Sequence, residues 1–179
     1  MNESELVLAL QKGDAKAQRI LYDRYAGPMM GVCMRYLKNE MDAEEVLING
    51  FMKVYQHVDK FEQKGSFEGW VRRIMVNEAL QQLRKQEPMH LAIDKEHIHL
   101  ASEDATADSD MSAEEMLELL QDLPAGYRAV FNLYAIEGYS HKEIADMLHI
   151  SEGTSKSQLS KARAMLQRML AQQGVVIAL

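Results

Sequence analysis

Apolar residues return every three or four positions through most of the chain, and no stretch alternates apolar with polar as a half-buried strand would. The spacing predicts helices over residues 6–11, 15–37, 42–58 and 70–85, then over 112–121 and 127–137, and two short helices within 140–163. In the second of these, Ile20, Leu21, Tyr25, Met29, Val32, Cys33 and Tyr36 follow one side. Residues 89–111 interrupt the pattern. They follow Pro88, are rich in His, Asp, Ser and Ala, and hold too little apolar surface to offset the entropy of ordering. The expected architecture is all-α: two small helical domains, 1–88 and 112–179, joined by a flexible acidic linker, 89–111. Gly13-Asp14, Lys64-Gly65-Ser66, Pro124-Ala125-Gly126 and Glu137-Gly138 mark turns. Asp42 with Glu45, and Ser112 with Glu115, have the spacing of capping boxes that start helices. Leu119, Leu120, Leu123, Val130, Phe131, Tyr134, Ile144, Leu148, Leu159, Leu166 and Leu170 are expected to share one core in the second domain.

Residues 140–163 carry the sharpest local signal. Ser140 caps a helix whose Glu143 reaches back to the cap, with Ile144, Met147 and Leu148 as its buried stripe and Ala145 small where a second helix crosses. His149, Ile150 and Ser151 form a tight turn, and Ser151 caps the next helix. That helix holds Lys156, Lys161 and Arg163 and no acid from Gly153 onward, among Thr154, Ser155, Ser157, Gln158 and Ser160. Small hydroxyls let a helix sit deep in a major groove, Gln158 is suited to a base edge, and the cations suit phosphates. A helix-turn-helix accounts for caps, turn and charge together; an ordinary helical hairpin with a solvated basic face is the plain alternative.

Composition narrows the rest. At 47% apolar, the 179 residues can build packed cores, and only three prolines are present to interrupt helices. No apolar run is long enough to cross a bilayer and the first residues are acidic, unlike a secretory signal, so a cytoplasmic protein is expected. Cys33, the one cysteine, reads as a core thiol. No catalytic residue, metal or cofactor is expected: no phosphate loop or Ser/His/Asp arrangement stands out, and His97 with His99 in the linker is an indifferent metal pair. The net charge of −7 looks wrong for DNA until it is placed. Residues 1–88 are balanced, and 89–111 set Lys95 against six acids, so the acidity sits away from the basic helix. Even so, such a protein should bind duplex weakly by itself. The apolar tail 174–179 is expected to pack on the last helix.

The first domain adds two motifs. Asp42, Glu44 and Glu45 open a helix with Val46, Leu47, Phe51, Val54 and Val58 down one side, and a loop at Gly65 leads through Ser66, Phe67 and Trp70 to Arg72, Arg73, Ile74 and Asn77. With Leu123-Pro124, Arg128, Phe131, Gly138, Ser140, Glu143-Ile144-Ala145, Gly153-Thr154 and Lys156-Ser157 in order, the chain from about residue 5 to 171 resembles a bacterial RNA polymerase sigma factor of the extracytoplasmic function (ECF) group. The resemblance implies an alternative sigma factor that binds core polymerase and directs promoter-specific initiation. It implies that Asp42, Glu45, Val46, Asn49, Phe51 and Lys53 meet the β′ clamp helices, with the β flap a further polymerase contact. It implies that Ser66, Phe67, Arg72, Arg73 and Asn77 read and melt the −10 element, and that Glu152, Thr154, Lys156, Ser157, Ser160, Lys161 and Arg163 read the −35 element. Ser66 and Phe67 would line a cradle for a flipped base, though Phe67 is equally suited to the core, where Trp70 and Ile74 are expected. An anti-sigma factor is implied as a partner. The chain departs from the family at Asn49-Gly50, where a Gln and an acid are usual; losing that acid and gaining a mid-helix Gly, unfavourable by about 1 kcal/mol, is expected to weaken or reshape the polymerase contact. The alternatives are a helix-turn-helix regulator acting without polymerase and a helical interaction protein.

Overall fold

The computed structural model describes residues 1–86 and 111–174, which form no strand. The chain divides into two compact units, Met1–Gln86 and Glu87–Leu179. The expected linker, with His97 and His99, and the tail beyond Gly174 lie outside the described residues.

In the first unit α1 is Glu3–Gln11, α2 Ala15–Tyr36, α3 Glu40–His57 and α4 Phe67–Gln86, with a 3-10 turn Val58–Lys60 after α3. Helices α2, α3 and α4 pack pairwise as a bundle, and α1 lies against α2 and the 3-10 turn. Local chemistry sets the starts: Asn2 and Glu5 form a capping box, and Asp14 accepts from the Lys16 and Ala17 amides. The cap of α3 is Asn39 rather than Asp42. Its side chain accepts the Asp42 amide and donates to the Asp42 carboxylate, so the helix begins earlier than the acidic motif suggests. The interior is filled by fully buried residues from all four helices, among them Leu6, Leu21, Tyr36, Val54, Phe67 and Met75. Cys33 lies in this core, where burial pushes its thiol up to about 12.

Gly50 is a packing residue. It is buried on the side of α3 that faces α4, and a Cβ there would overlap Met75 Sδ. The glycine therefore permits the close α3–α4 crossing, while Asn49 beside it is exposed on the outer side of the helix.

The second unit holds α5 Ala113–Asp122, α6 Ala125–Phe131, a π-helical turn Asn132–Ile136, α7 His141–Leu148 and α8 Glu152–Gln172. Helix α8 is the spine, packed by α5, α6 and α7. Ser112 with Glu115 and Ser140 with Glu143 form the capping boxes read from the sequence. All of the expected core residues are buried except Tyr134, which lies half-exposed in the π turn. Helix α6 opens directly after Pro124, so Gly126 lies within the helix rather than in a turn. Arg128 is wholly buried, its Nη2 donating to the Leu123 carbonyl at 2.9 Å; the guanidinium closes the end of α5 onto α6.

Candidate nucleic-acid interface

Helices α7 and α8 form a helix-turn-helix. His149 ends α7 in the left-handed region at φ 56°, Ile150 donates its amide to the Ala145 carbonyl, and Ser151 starts α8 by accepting from the Thr154 amide at 3.0 Å. The first turns are tied together by His141 Nδ1 and Ser155 Oγ, 2.8 Å apart. On α8, Ser155, Gln158, Leu159, Ala162 and Leu166 are buried. The opposite side is accessible: Glu152, Lys156, Ser160 and Arg163 follow one row, and Ser157 and Lys161 the next. Every expected −35 residue is thus at least part-exposed, but together they reach round about half of the helix: Glu152 and Arg163 stand on one flank, Ser160 and Ser157 lie between, and Lys161 and Thr154 stand on the other, the Thr154 hydroxyl 2.9 Å from Ser151 Oγ. Gln158 is excluded. At 2% exposure its amide is among the core-facing residues of α8, so it does not reach a base.

In the first unit, residues 62–66 form an exposed loop held at both ends by aromatics. Phe61, Phe67 and Trp70 pack with ring centroids 5.1–5.7 Å apart, and Tyr25 meets Phe67 edge-on at 6.4 Å. Phe67 is fully buried within this cluster, which removes it from a base cradle; the ring that reaches the surface is Trp70. Ser66 is exposed and caps α4, its Oγ accepting the Gly69 amide at 3.0 Å, while Glu3 of α1 accepts the Phe67 amide at 3.2 Å. Beyond the loop Arg73, Asn77 and Arg84 lie in one exposed row. Arg72 stands about 100° round the helix from Arg73, as consecutive residues must, and is half-buried.

On α3 the expected residues divide. Glu45 and Asn49 are exposed and Asp42 is part-exposed at the cap, but Val46 and Phe51 are 3% and 2% exposed and belong to the bundle core. Lys53 turns back to Glu78 of α4 at 2.5 Å, a part-buried ion pair that joins the helices. Outward on α3 stands a second apolar row, Met41, Ile48 and Met52, exposed by 80%, 57% and 51% and bordered by Glu44, Glu45 and Asn49. Their spacing of seven and four residues was a readable signal, hidden because the inner stripe is longer and more apolar.

Among the described residues no cluster of His, Cys, Asp and Glu is placed to hold a metal, and no helix is long and apolar enough to cross a membrane. Residues 21–88 match the family sigma-70 region 2, and residues 113–166 match sigma-70, region 4, together more than half of the chain. The ECF RNA polymerase sigma-E factor of Haemophilus influenzae is 29% identical over 95% of this chain and 96% of that protein. The ECF RNA polymerase sigma factor SigW of Bacillus subtilis is 28% identical over 90% and 92%. In fold, the chain is similar to the sigma factor RpoE solved with the anti-sigma factor NepR from Bartonella quintana, with a TM-score of 0.56, 22% identity and coverage of 86% of this chain and 96% of that one. Two sigma-70 regions in order, each folded as its own helical unit and with relatives matching end to end, show that this chain belongs to the sigma-70 family, in its extracytoplasmic function group.

Proposed function

We propose that the protein docks on core RNA polymerase through the outer row of α3, offers the 62–66 loop and the α4 row to the −10 element as it melts, and lays the outer face of α8 in the major groove of the −35 element. As a sigma factor it directs transcription initiation, and its family is not a family of enzymes; the chemistry of RNA synthesis is left to the polymerase. The observation that carries the assignment is the row Met41, Ile48 and Met52. Three large apolar side chains aligned in water fit an amphipathic helix docking on a partner helix, here the β′ clamp helices, and Glu44 and Glu45 would set its charged margin.

On α4, Arg73 and Arg84 suit the backbone of the non-template strand, Asn77 suits a polar contact, and Trp70 rather than Phe67 is the aromatic available for stacking on an unpaired base, a contact that contributes about 1–3 kcal/mol. On α8, Lys156, Lys161 and Arg163 meet phosphates, and Glu152, Thr154, Ser157 and Ser160 face base edges. The units correspond to region 2 and region 4 functions, with the residues between them serving as linker and the β flap a further contact. A cytoplasmic location follows from these partners. An anti-sigma factor that covers the DNA-facing residues would silence the protein; RpoE of Bartonella quintana was solved in complex with an anti-sigma factor.

Run-off transcription on fragments of the source genome tests the reading. Core polymerase with this protein should start transcripts at discrete positions that core alone does not use, and Arg73→Ala or Lys156→Ala should lower the yield by about tenfold, the effect of losing about 1.4 kcal/mol of binding. Transcripts indistinguishable from those of core alone would overturn it. A helix-turn-helix regulator working without polymerase leaves the α3 row unexplained.

A further inference from the structure

Beside the α8 face, a stack joins three elements of the second unit. The His141 ring, at the start of α7, lies on the Tyr134 ring of the π turn, with centroids 4.5 Å apart and planes within 20° of parallel. Its Nδ1 is engaged by Ser155 Oγ, which is wholly buried in the first turn of α8. The Arg163 guanidinium of α8 stands over the same Tyr134 ring, 5.8 Å from its centroid. An imidazole is thus fixed between the two helices of the DNA-reading motif and beside its cations. Lys156, Arg163 and Glu152 face it from α8, Tyr134 from the π turn, and Lys142 and Glu143 adjoin it on α7. Burial and the two cations hold the imidazole below the ordinary histidine range, with Glu152 opposing them.

Duplex docked on α8 brings phosphates to Lys156 and Arg163, and therefore negative charge to the groups that disfavour a protonated His141. We propose that His141 is a conditional cation beside the −35 contacts, neutral in the free protein and taking up a proton when α8 docks on duplex. The inference rests on the reading of α8 as the duplex-reading helix. Because the bound form holds the proton more tightly, affinity for duplex rises as pH falls through the bound-state midpoint and levels off below the free-state midpoint. Tyr134 and Ser155 are positioning residues here: they hold the ring in place and do not touch DNA.

Magnetic resonance titration of the histidine rings in the full chain tests this, with and without a random-sequence duplex about two helical turns long at low salt. His141 is assigned among the six histidines by through-bond correlation of its ring with its own backbone amide. The duplex should raise the His141 midpoint by about one pH unit, and wild-type affinity should gain up to about tenfold from the alkaline to the acid side. His141→Gln should lose that gain, its affinity holding level from the alkaline to the acid side, whereas a purely structural role would lower affinity at every pH and leave the gain in place. The wild-type titration decides the matter even where the variant fails to fold. If the Lys156 and Ser157 amides respond to duplex while the His141 midpoint stays fixed, the inference fails and the reading of α8 stands. If neither responds with duplex in large excess at low salt, where weak binding is still seen, that reading falls and takes the inference with it.

Discussion

At Gly50 a single methyl group separates two energetic effects of opposite sign. Alanine would favour the helix by about 1 kcal/mol, but its Cβ would press on Met75, itself fully buried, and overpacking costs about 1–3 kcal/mol. Gly50→Ala should therefore lower the stability of the first unit by about 1 kcal/mol in denaturant unfolding. Met75→Ala should cost less in the Gly50→Ala background than in wild type, and strict additivity would contradict the contact. His149 shows the reverse case. A β-carbon at φ 56° is strained, so His149→Gly should stabilise the second unit by about 0.5 kcal/mol in thermal unfolding, the relief exceeding the added unfolded-state entropy. Residue chemistry was legible in the sequence while depth was not: Phe67 and Gln158 have side chains suited to nucleic acid, and both lie in cores whose limits depend on neighbours distant in sequence. Arg128, a cation within a family motif, likewise serves the fold by holding the Leu123 carbonyl.

Helix starts were the most readable elements, because a cap and its partner lie within four residues. Ser112 with Glu115, Ser140 with Glu143, and Ser151 all cap as their spacing implies. Asn39 was missed because the acids that follow it look like a start of their own. The π turn after α6 went unread because its one extra residue shifts the apolar spacing too little, over five residues, to be told from a continuing α-helix. On α8 the alternation of buried and open positions divides labour among neighbours. Lys156→Ala should weaken holoenzyme binding on all promoters alike and reduce the salt slope by about one phosphate contact, whereas Ser157→Ala should change which −35 sequences are preferred. Selection from a random −35 library by each holoenzyme measures both, and equal losses on every sequence from both variants would contradict the assignment of Ser157.

Across the whole molecule, net charge and surface character point to assisted rather than autonomous DNA binding. A chain of charge −7 is repelled by duplex at long range, and its few outward cations on α4 and α8 suit local contacts made after polymerase has brought it to DNA. The apolar row on α3 supplies the attachment such a protein requires, and it rests on a bundle whose own core uses the opposite side of that helix. The most direct test is gel filtration of the purified protein with bacterial core RNA polymerase, alongside Ile48→Asp and Met52→Asp. Wild type should co-elute with core, and each variant should stay folded but elute separately, its affinity reduced by about thirtyfold or more as for a central interface residue worth at least about 2 kcal/mol. Separate elution of the wild-type protein, or co-elution undiminished in both variants, would contradict the account.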